Sequence, residues 1–317
     1  MVNRNFRFVN FGESAPTDAV TISCDGRVRG ATLELTHWDG NTTPDQYYAD
    51  TSTEMALKFA SSFSSREFDN ALILNNHFDT DGLCSVWSTL NPEQALQYKD
   101  LLRQGAEAGD FGEWSSDEGV KLDLAILALG AGDEKQAYER VLKEMPKLLL
   151  DITTTGGKSY EKLWKSGLQE AMDGWNDLKQ GRAKLYRGPS PNMVVLEEAG
   201  TSVTLSPYAL YRGLKENKLW DGTTRILRVQ LAVENSSFAY NYEKIGHGWV
   251  SKLVSRPVVP SADGNVLAAK LNEQCGTNVW KSGGSAGLVS ICCTRQPFSV
   301  GPREVARLLA ELDPSCS

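Results

Sequence analysis

The sequence predicts an α/β fold: an N-terminal parallel-sheet α/β unit, a helical middle segment and a C-terminal mixed α+β unit. Three observations predict it. Apolar or β-branched runs alternate with helical spacing over residues 1–90, helical spacing dominates 91–182, and β-type segments return from 183 before a closing helix. Two domains follow: residues 1–182, a metal-site domain with a helical extension, and 183–317, covering or completing that site. A length of 317 residues agrees with two domains at roughly 150 residues each.

Each element has a local reason. Val20–Ser23 is a β-branched run that ends at the turn pair Asp25-Gly26, and Ala31–Thr36 alternates as a strand does. Asp50–Glu54 opens a helix, because Thr51 with Glu54 three residues on forms a capping box. Met55, Phe59 and Phe63 then give that helix one apolar stripe. Ala71–Leu74 is a continuous apolar run of the kind a parallel sheet buries, so a parallel crossover joins these strands. Asn91-Pro92 starts the next helix, with Asn capping and Pro in the first turn. Glu134–Leu150 and Tyr160–Gln180 carry helical spacing, and Pro146 is expected to break or kink the first. The stripe Leu163, Trp164, Leu168, Ala171, Trp175, Leu178 is packing surface. Strands are expected at Met193–Leu196, Ile226–Val233, Phe238–Tyr242 and Leu288–Ile291, with Asn235–Ser237 as a hairpin connection. Gly301–Glu304 opens a final helix facing inward through Val305, Leu308, Leu309 and Leu312.

Composition narrows the function classes. With 33 Lys+Arg against 40 Asp+Glu, the net charge is −7, which disfavours general nucleic-acid binding or an anionic membrane surface. The longest apolar stretch, around Leu122–Ala131, is about half the roughly 20 residues of a membrane span. The six cysteines show no CxxC pair and read as reduced, mostly buried thiols. Met1–Arg7 runs straight into polar sequence without an apolar signal segment, so the protein is expected to be cytoplasmic.

The chemistry concentrates in Leu72–Ser85, where an apolar strand runs out into His77-Phe78-Asp79-Thr80-Asp81-Gly82. Ligands of open α/β sheets bind beyond the carboxyl ends of the strands. Alternate residues of an extended segment point the same way, so His77, Asp79 and Asp81 are expected to converge on one cation. Mixed imidazole and carboxylate ligation suits Mn²⁺, Fe²⁺ or Zn²⁺ better than Ca²⁺. Gly82 would bring backbone amides close to an anionic substrate, with Asn76 and Ser85 beside it. The opposing possibility is a polar loop whose aspartates only cap the following helix. Leu33–Gly40 repeats the layout, so His37 and Asp39 would join the same sheet edge and suggest a two-metal site. His247, between glycines, is a candidate proton donor or phosphate contact. Arg256 and Arg187 are candidate anion-binding guanidinium groups, and Lys281–Gly287 a candidate anion-cradling loop.

His77–Ser85 resembles the first motif of the DHH phosphoesterase superfamily, in its RecJ-like Asp-x-Asp-x-Asp-Gly-x-x-Ser form. That resemblance implies Mn²⁺ held by carboxylates at a strand end, hydrolysis of phosphodiesters or phosphoanhydrides, and metal-ligand positions for Asp79 and Asp81, with His77 in the first position. It covers about a dozen residues, and no Asp-His-His triplet occurs in the chain. The paired His37 and His77 stretches also resemble an uncharacterised bacterial family. The expected function is therefore metal-dependent hydrolysis of a small phosphorylated metabolite by a metal-activated water, with Mn²⁺ favoured and Fe²⁺, Zn²⁺ or Mg²⁺ as alternatives. The rivals are a mononuclear non-haem iron enzyme using His37, His77 and Asp79, and a non-catalytic binding module.

Overall fold

A computed structural model describes residues 3–62, 67–198, 204–232, 237–283 and 289–316. The chain divides into two compact units, residues 1–169 with 250–256, and residues 170–249 with 257–317.

The first unit is built on a wholly parallel sheet of β1 (Asn5–Phe8), β2 (Thr21–Cys24), β3 (Leu33–Leu35) and β4 (Leu72–Asn75), in the order β1-β4-β2-β3. β2 is buried along its whole length, as expected of a strand covered on both faces. β1 carries little sequence pattern, being four residues of mixed polarity. α1 (Ser52–Ala60) begins with the predicted capping box of Thr51 and Glu54, and packs Met55 and Phe59 into the core; Phe63 lies outside the described residues. The helical segment follows as α2 (Thr80–Leu90), α3 (Pro92–Gln97), α4 (Lys99–Phe111), α5 (Asp117–Leu129), α6 (Glu134–Thr155) and α7 (Glu161–Lys179), the last crossing the division between units.

Two local expectations need correction. Asn91 makes no side-chain cap on α3; its Nδ2 instead donates to the Trp87 carbonyl at the end of α2 (3.1 Å). α6 runs unbroken through Pro146, because the buried face of Val141, Met145, Leu148 and Leu149 continues on both sides of it and outweighs one missing N–H bond. The Leu122–Ala131 stretch lies largely within α5, and no described helix is long and apolar enough to cross a membrane.

The second unit carries a six-stranded mixed sheet of β5 (Lys184–Arg187), β6 (Met193–Glu197), β7 (Arg225–Ala232), β8 (Ser237–Lys244), β9 (Trp280–Ser282) and β10 (Ser290–Thr294), ordered β5-β6-β7-β8-β10-β9. Only β6 and β7 run parallel. Alternation along β6 assigns its two faces: Met193 and Val195 pack in one cluster with α9 (Gly264–Cys275) and α10 (Pro302–Leu312), and Val194 and Leu196 in another with α8 (Pro207–Glu216). Trp175 and Leu178 pack against the latter, as expected of a packing stripe. The β7–β8 connection contains Asn235 and Ser236, which lie outside the described residues, as does Leu288 before β10. Cys24, Cys84, Cys275, Cys292 and Cys293 are free thiols, three of them buried; the Cys316 side chain is not described.

Candidate metal centre

The parallel register puts the carboxyl ends of β2, β3 and β4 on one edge, and each ends in a chemically active residue. Asp25 follows β2, His37 lies two residues past β3, and His77 and Asp79 follow β4. β3 and β4 are not neighbours; β2 lies between them and contributes Asp25.

Asp25 is fully buried and takes a left-handed backbone (φ 60°), a conformation Asp tolerates better than most residues. Its carboxylate is aimed two ways. Oδ1 lies 3.5 Å from His37 Nε2, and Oδ2 lies 2.8 Å from His77 Nε2. The Ser52 hydroxyl donates to Oδ1 (2.8 Å). Gly26 next to it is required by close approach, since a Cβ there would stand 2.2 Å from Asn76 Oδ1.

Two groups of ligand-capable atoms share this carboxylate: Asp25, His37 and Asp81, all buried, and Asp25, His77 and Asp79, of which the last two are partly exposed. The single convergence expected of His77, Asp79 and Asp81 is thereby split. Asp79 is extended and caps α2, accepting from the Gly82 amide (2.7 Å), so Asp81 already lies in the first helical turn and points elsewhere. Asp79 caps the helix through Oδ1, and its Oδ2 faces His77 Nε2 at 3.3 Å. Asp81 likewise accepts the Ser52 and Thr53 amides at the start of α1 (2.7 Å each) and lies 3.9 Å from His37 Nε2. Asp110 on α4, absent from the sequence-based set, places Oδ2 3.3 Å from His37 Nε2.

Both imidazoles are fixed in orientation. His37 Nδ1 lies 2.6 Å from the Asp50 carbonyl, which can only accept, so Nδ1 carries the proton and Nε2 is left to face Asp25. His77 Nδ1 donates to Asn76 Oδ1 (3.0 Å), with the same result. Asn75 Oδ1 accepts from the Asn76 and His77 amides, and the buried Tyr138 hydroxyl donates to the His77 carbonyl (3.1 Å) while accepting from Asn75 Nδ2 (2.7 Å).

The electrostatics fit a cation. Burial, then repulsion from Asp25, raises Asp81 to about 6, while burial and the charges of Asp81, Asp79 and Asp25 drive Asp110 well above the usual carboxylate range. Burial disfavours a charged His77, but Asp25 and Asp79 override it and push the imidazole up to about 11. Burial also opposes ionisation of Asp25, yet His77 and His37 hold it below its ordinary value. Several carboxylates are thus enclosed beside two imidazoles, an environment whose negative charge a divalent ion would compensate. The geometry of both groups is one that could hold a metal ion.

Other sequence candidates are placed differently. Asp39 is exposed: the chain leaves extended geometry after Leu35 and turns over Trp38–Asn41, so Asp39 belongs to neither group and accepts from Ser251 Oγ. Gly82 is buried with its amide bonded to Asp79, and a Cβ there would lie 2.6 Å from Asn75 Nδ2; close packing requires this glycine, and its N–H already serves Asp79 rather than a substrate. Ser85 is buried in α2, its hydroxyl donating to the Gly82 carbonyl (2.9 Å). Asn76 serves His77 and donates to the Arg27 carbonyl (3.1 Å). His247 belongs to the second unit, 2% exposed, with its ring 5.9 Å from Trp220. Arg187 ties the Pro191 carbonyl and Thr223 hydroxyl (2.8 Å each), and much of the 281–287 loop lies outside the described residues. The mononuclear set His37, His77, Asp79 does not assemble, because the two histidines fall in different groups.

Asp25, His37 and Asp81 with His77 and Asp79 thus form a shared-carboxylate Asp/His cluster at the edge of a parallel sheet. Residues 4–299 match DUF6687, a family of unknown function, and the chain belongs to that family. No curated protein matches it in sequence. Among solved structures it is similar to a pGpG-specific phosphodiesterase, PggH from Vibrio cholerae, at 12% identity and a TM-score of 0.39, covering 94% of this chain and 85% of that one. So loose a likeness defines neither fold nor activity.

Proposed function

We propose that the first unit is a two-cation hydrolytic centre, Mn²⁺ favoured, that acts on a small phosphorylated anion bearing a phosphoester or phosphoanhydride. The observation that carries it is Asp25, whose two oxygens address different histidines and join an enclosed ligand group to an open one. Two divalent ions supply Lewis acidity and make water a usable nucleophile near neutral pH. The chain's own residues do the rest. Asp25 sets the spacing of the groups. The Asp50 carbonyl and Asn76 hold the imidazoles in the tautomer that leaves Nε2 available. His77 and Asp79, with side chains 28% and 37% exposed, border the side from which the phosphoryl group arrives, while His37 and Asp81 at 0% keep water from the other. His77 stands in a ligand position, which leaves proton transfer to another group.

The resemblance of residues 77–85 to the first DHH motif supports the same chemistry. A net charge of −7 favours a compact anion over nucleic acid or a membrane surface, in keeping with a cytoplasmic metabolic role. The test is elemental analysis of the wild type beside His77→Ala and Asp79→Ala, with hydrolysis of phosphomonoesters, phosphodiesters and phosphoanhydrides measured with and without Mn²⁺. Stoichiometric metal in the wild type, reduced in both variants, with Mn²⁺-dependent phosphate release, is the expected result. Full metal occupancy in both variants would remove the site.

A further inference from the structure

Arg256, whose guanidinium the sequence suggests for anion binding, is committed elsewhere. Its Nε donates to Glu113 Oε1 (2.8 Å) and its Nη2 to Glu113 Oε2 (2.7 Å) and Glu107 Oε1 (3.2 Å). Nη1 donates to Asp50 Oδ2 (2.7 Å) and Ser255 Oγ (3.4 Å). A guanidinium has five N–H donors, and these contacts engage all of them, leaving none for a substrate. Its plane also lies 4.8 Å over the Phe111 ring.

The partners of Arg256 lead straight to the enclosed ligand group. Asp50 is the residue whose carbonyl orients His37, and its carboxylate is held by Arg256 together with the Val254 and Ser255 amides. Glu107 and Phe111 are on α4, the helix that carries Asp110, and Glu113 follows its left-handed cap at Gly112. One cation, 143 residues from Glu113 in sequence, therefore ties the loop that aims His37 to the helix end that presents Asp110. The open group is held differently, by Asn75, Asn76 and Tyr138, whereas the hydrogen bonds of Arg256 go to Glu107, Glu113, Asp50 and Ser255.

We infer that Arg256 is a positioning residue for the enclosed cation, acting through Asp50 on His37 and through the end of α4 on Asp110. This rests on the two-cation function proposed above. Without the guanidinium, three enclosed carboxylates face one another, and the Asp50 loop and α4 lose their common anchor. The enclosed cation should weaken by about 10- to 100-fold, the range for losing a group that orients a ligand, while the open cation keeps its affinity.

The test is Mn²⁺ titration of the full chain, followed by calorimetry and low-temperature EPR, for wild type, Arg256→Ala, Arg256→Lys and Asp50→Asn. Circular dichroism and thermal melts establish that each is folded. Wild type is expected to bind two Mn²⁺ with the exchange-coupled spectrum of ions sharing a carboxylate. Arg256→Ala and Asp50→Asn should saturate one ion at the same concentration and give an uncoupled six-line signal, with partial recovery of coupling in Arg256→Lys. Asp50→Asn and Arg256→Lys nearly preserve volume and carry the test if Arg256→Ala does not fold. Two coupled ions at wild-type affinity in the folded variants overturn the inference and leave the two-cation reading standing. Equal weakening of both ions also overturns it, since that signals general damage. A wild type that takes up no Mn²⁺ overturns the cation reading and this inference together.

Discussion

Replacing Asp25 by Asn separates a shared ligand from an ordinary one. Asn nearly matches Asp in shape and can still accept from the Ser52 hydroxyl, now 2.8 Å away, but it loses the charge and one of the two oxygens that address His37 and His77. Groups that only orient a ligand change metal affinity about 10- to 100-fold, so losing a charged direct ligand should cost each cation about 100-fold or more. At Mn²⁺ about 100 times each dissociation constant, each ion stabilises the fold by about 2.7 kcal/mol, or about 5 kcal/mol for two independent ions. A 100-fold weakening at both leaves about 1 kcal/mol in all. His77→Ala, which touches only the open group, should keep about 3 kcal/mol. The assay is urea unfolding with Mn²⁺ and with EDTA, paired with elemental analysis after equilibrium dialysis. A metal-dependent stabilisation in Asp25→Asn equal to that of His77→Ala would refute the shared role of Asp25, and one equal to wild type would refute the site.

Three further expectations follow from the same geometry. In EDTA, stability should fall as pH rises from 6 to 8.5. His77, raised to about 11, contributes fully below its ordinary 6.5 and loses that contribution towards 11, whereas Asp81, raised to about 6, has already lost its own between 3.8 and 6, and Asp25, held low, loses its own only in acid. Binding a cation requires a neutral His77, so the Mn²⁺-induced rise in Tm should grow over the same range, and a shrinking rise by scanning fluorimetry contradicts it. Tyr138→Phe removes the hydroxyl between Asn75 Nδ2 and the His77 carbonyl, and should cost about 1–3 kcal/mol in urea unfolding together with weaker binding of the open ion; unchanged stability and binding would count against that bridge. Asp39→Ala should leave metal content unchanged and Asp110→Asn should lower it, and the reverse order by elemental analysis would contradict the assignment of the two residues.

Much of the fold is legible in the sequence because its signals are local. The Thr51–Glu54 capping box and the apolar run before Asn75 each depend on a handful of adjacent residues, and both appear where the spacing puts them. His37 and His77 could be found because each follows a recognisable strand. Asp25 has the same signal, a carboxylate directly after β2, but the Asp-Gly pair also satisfies a turn, which accounts for the residue without a ligand role. Asp110 has no local signal at all: one more acidic residue on a helix that already carries Asp100 and Glu107. Asp39 fails for the opposite reason, since its spacing from His37 has meaning only while the chain stays extended, and it turns at Trp38.

The sequence by itself determined that apolar strands end in His and Asp, and that acidic residues outnumber basic ones, 40 against 33. Those properties depend on residue type and near-neighbour spacing. Tertiary structure alone decided which of these groups meet. Inserting β2 between β3 and β4 makes Asp25 the shared carboxylate, the rotation of α4 turns Asp110 inward, and the return of residues 250–256 places Arg256 on Asp50. Strand order, helix rotation and long-range return are set by packing of the whole core, and adjacent residues carry no record of them.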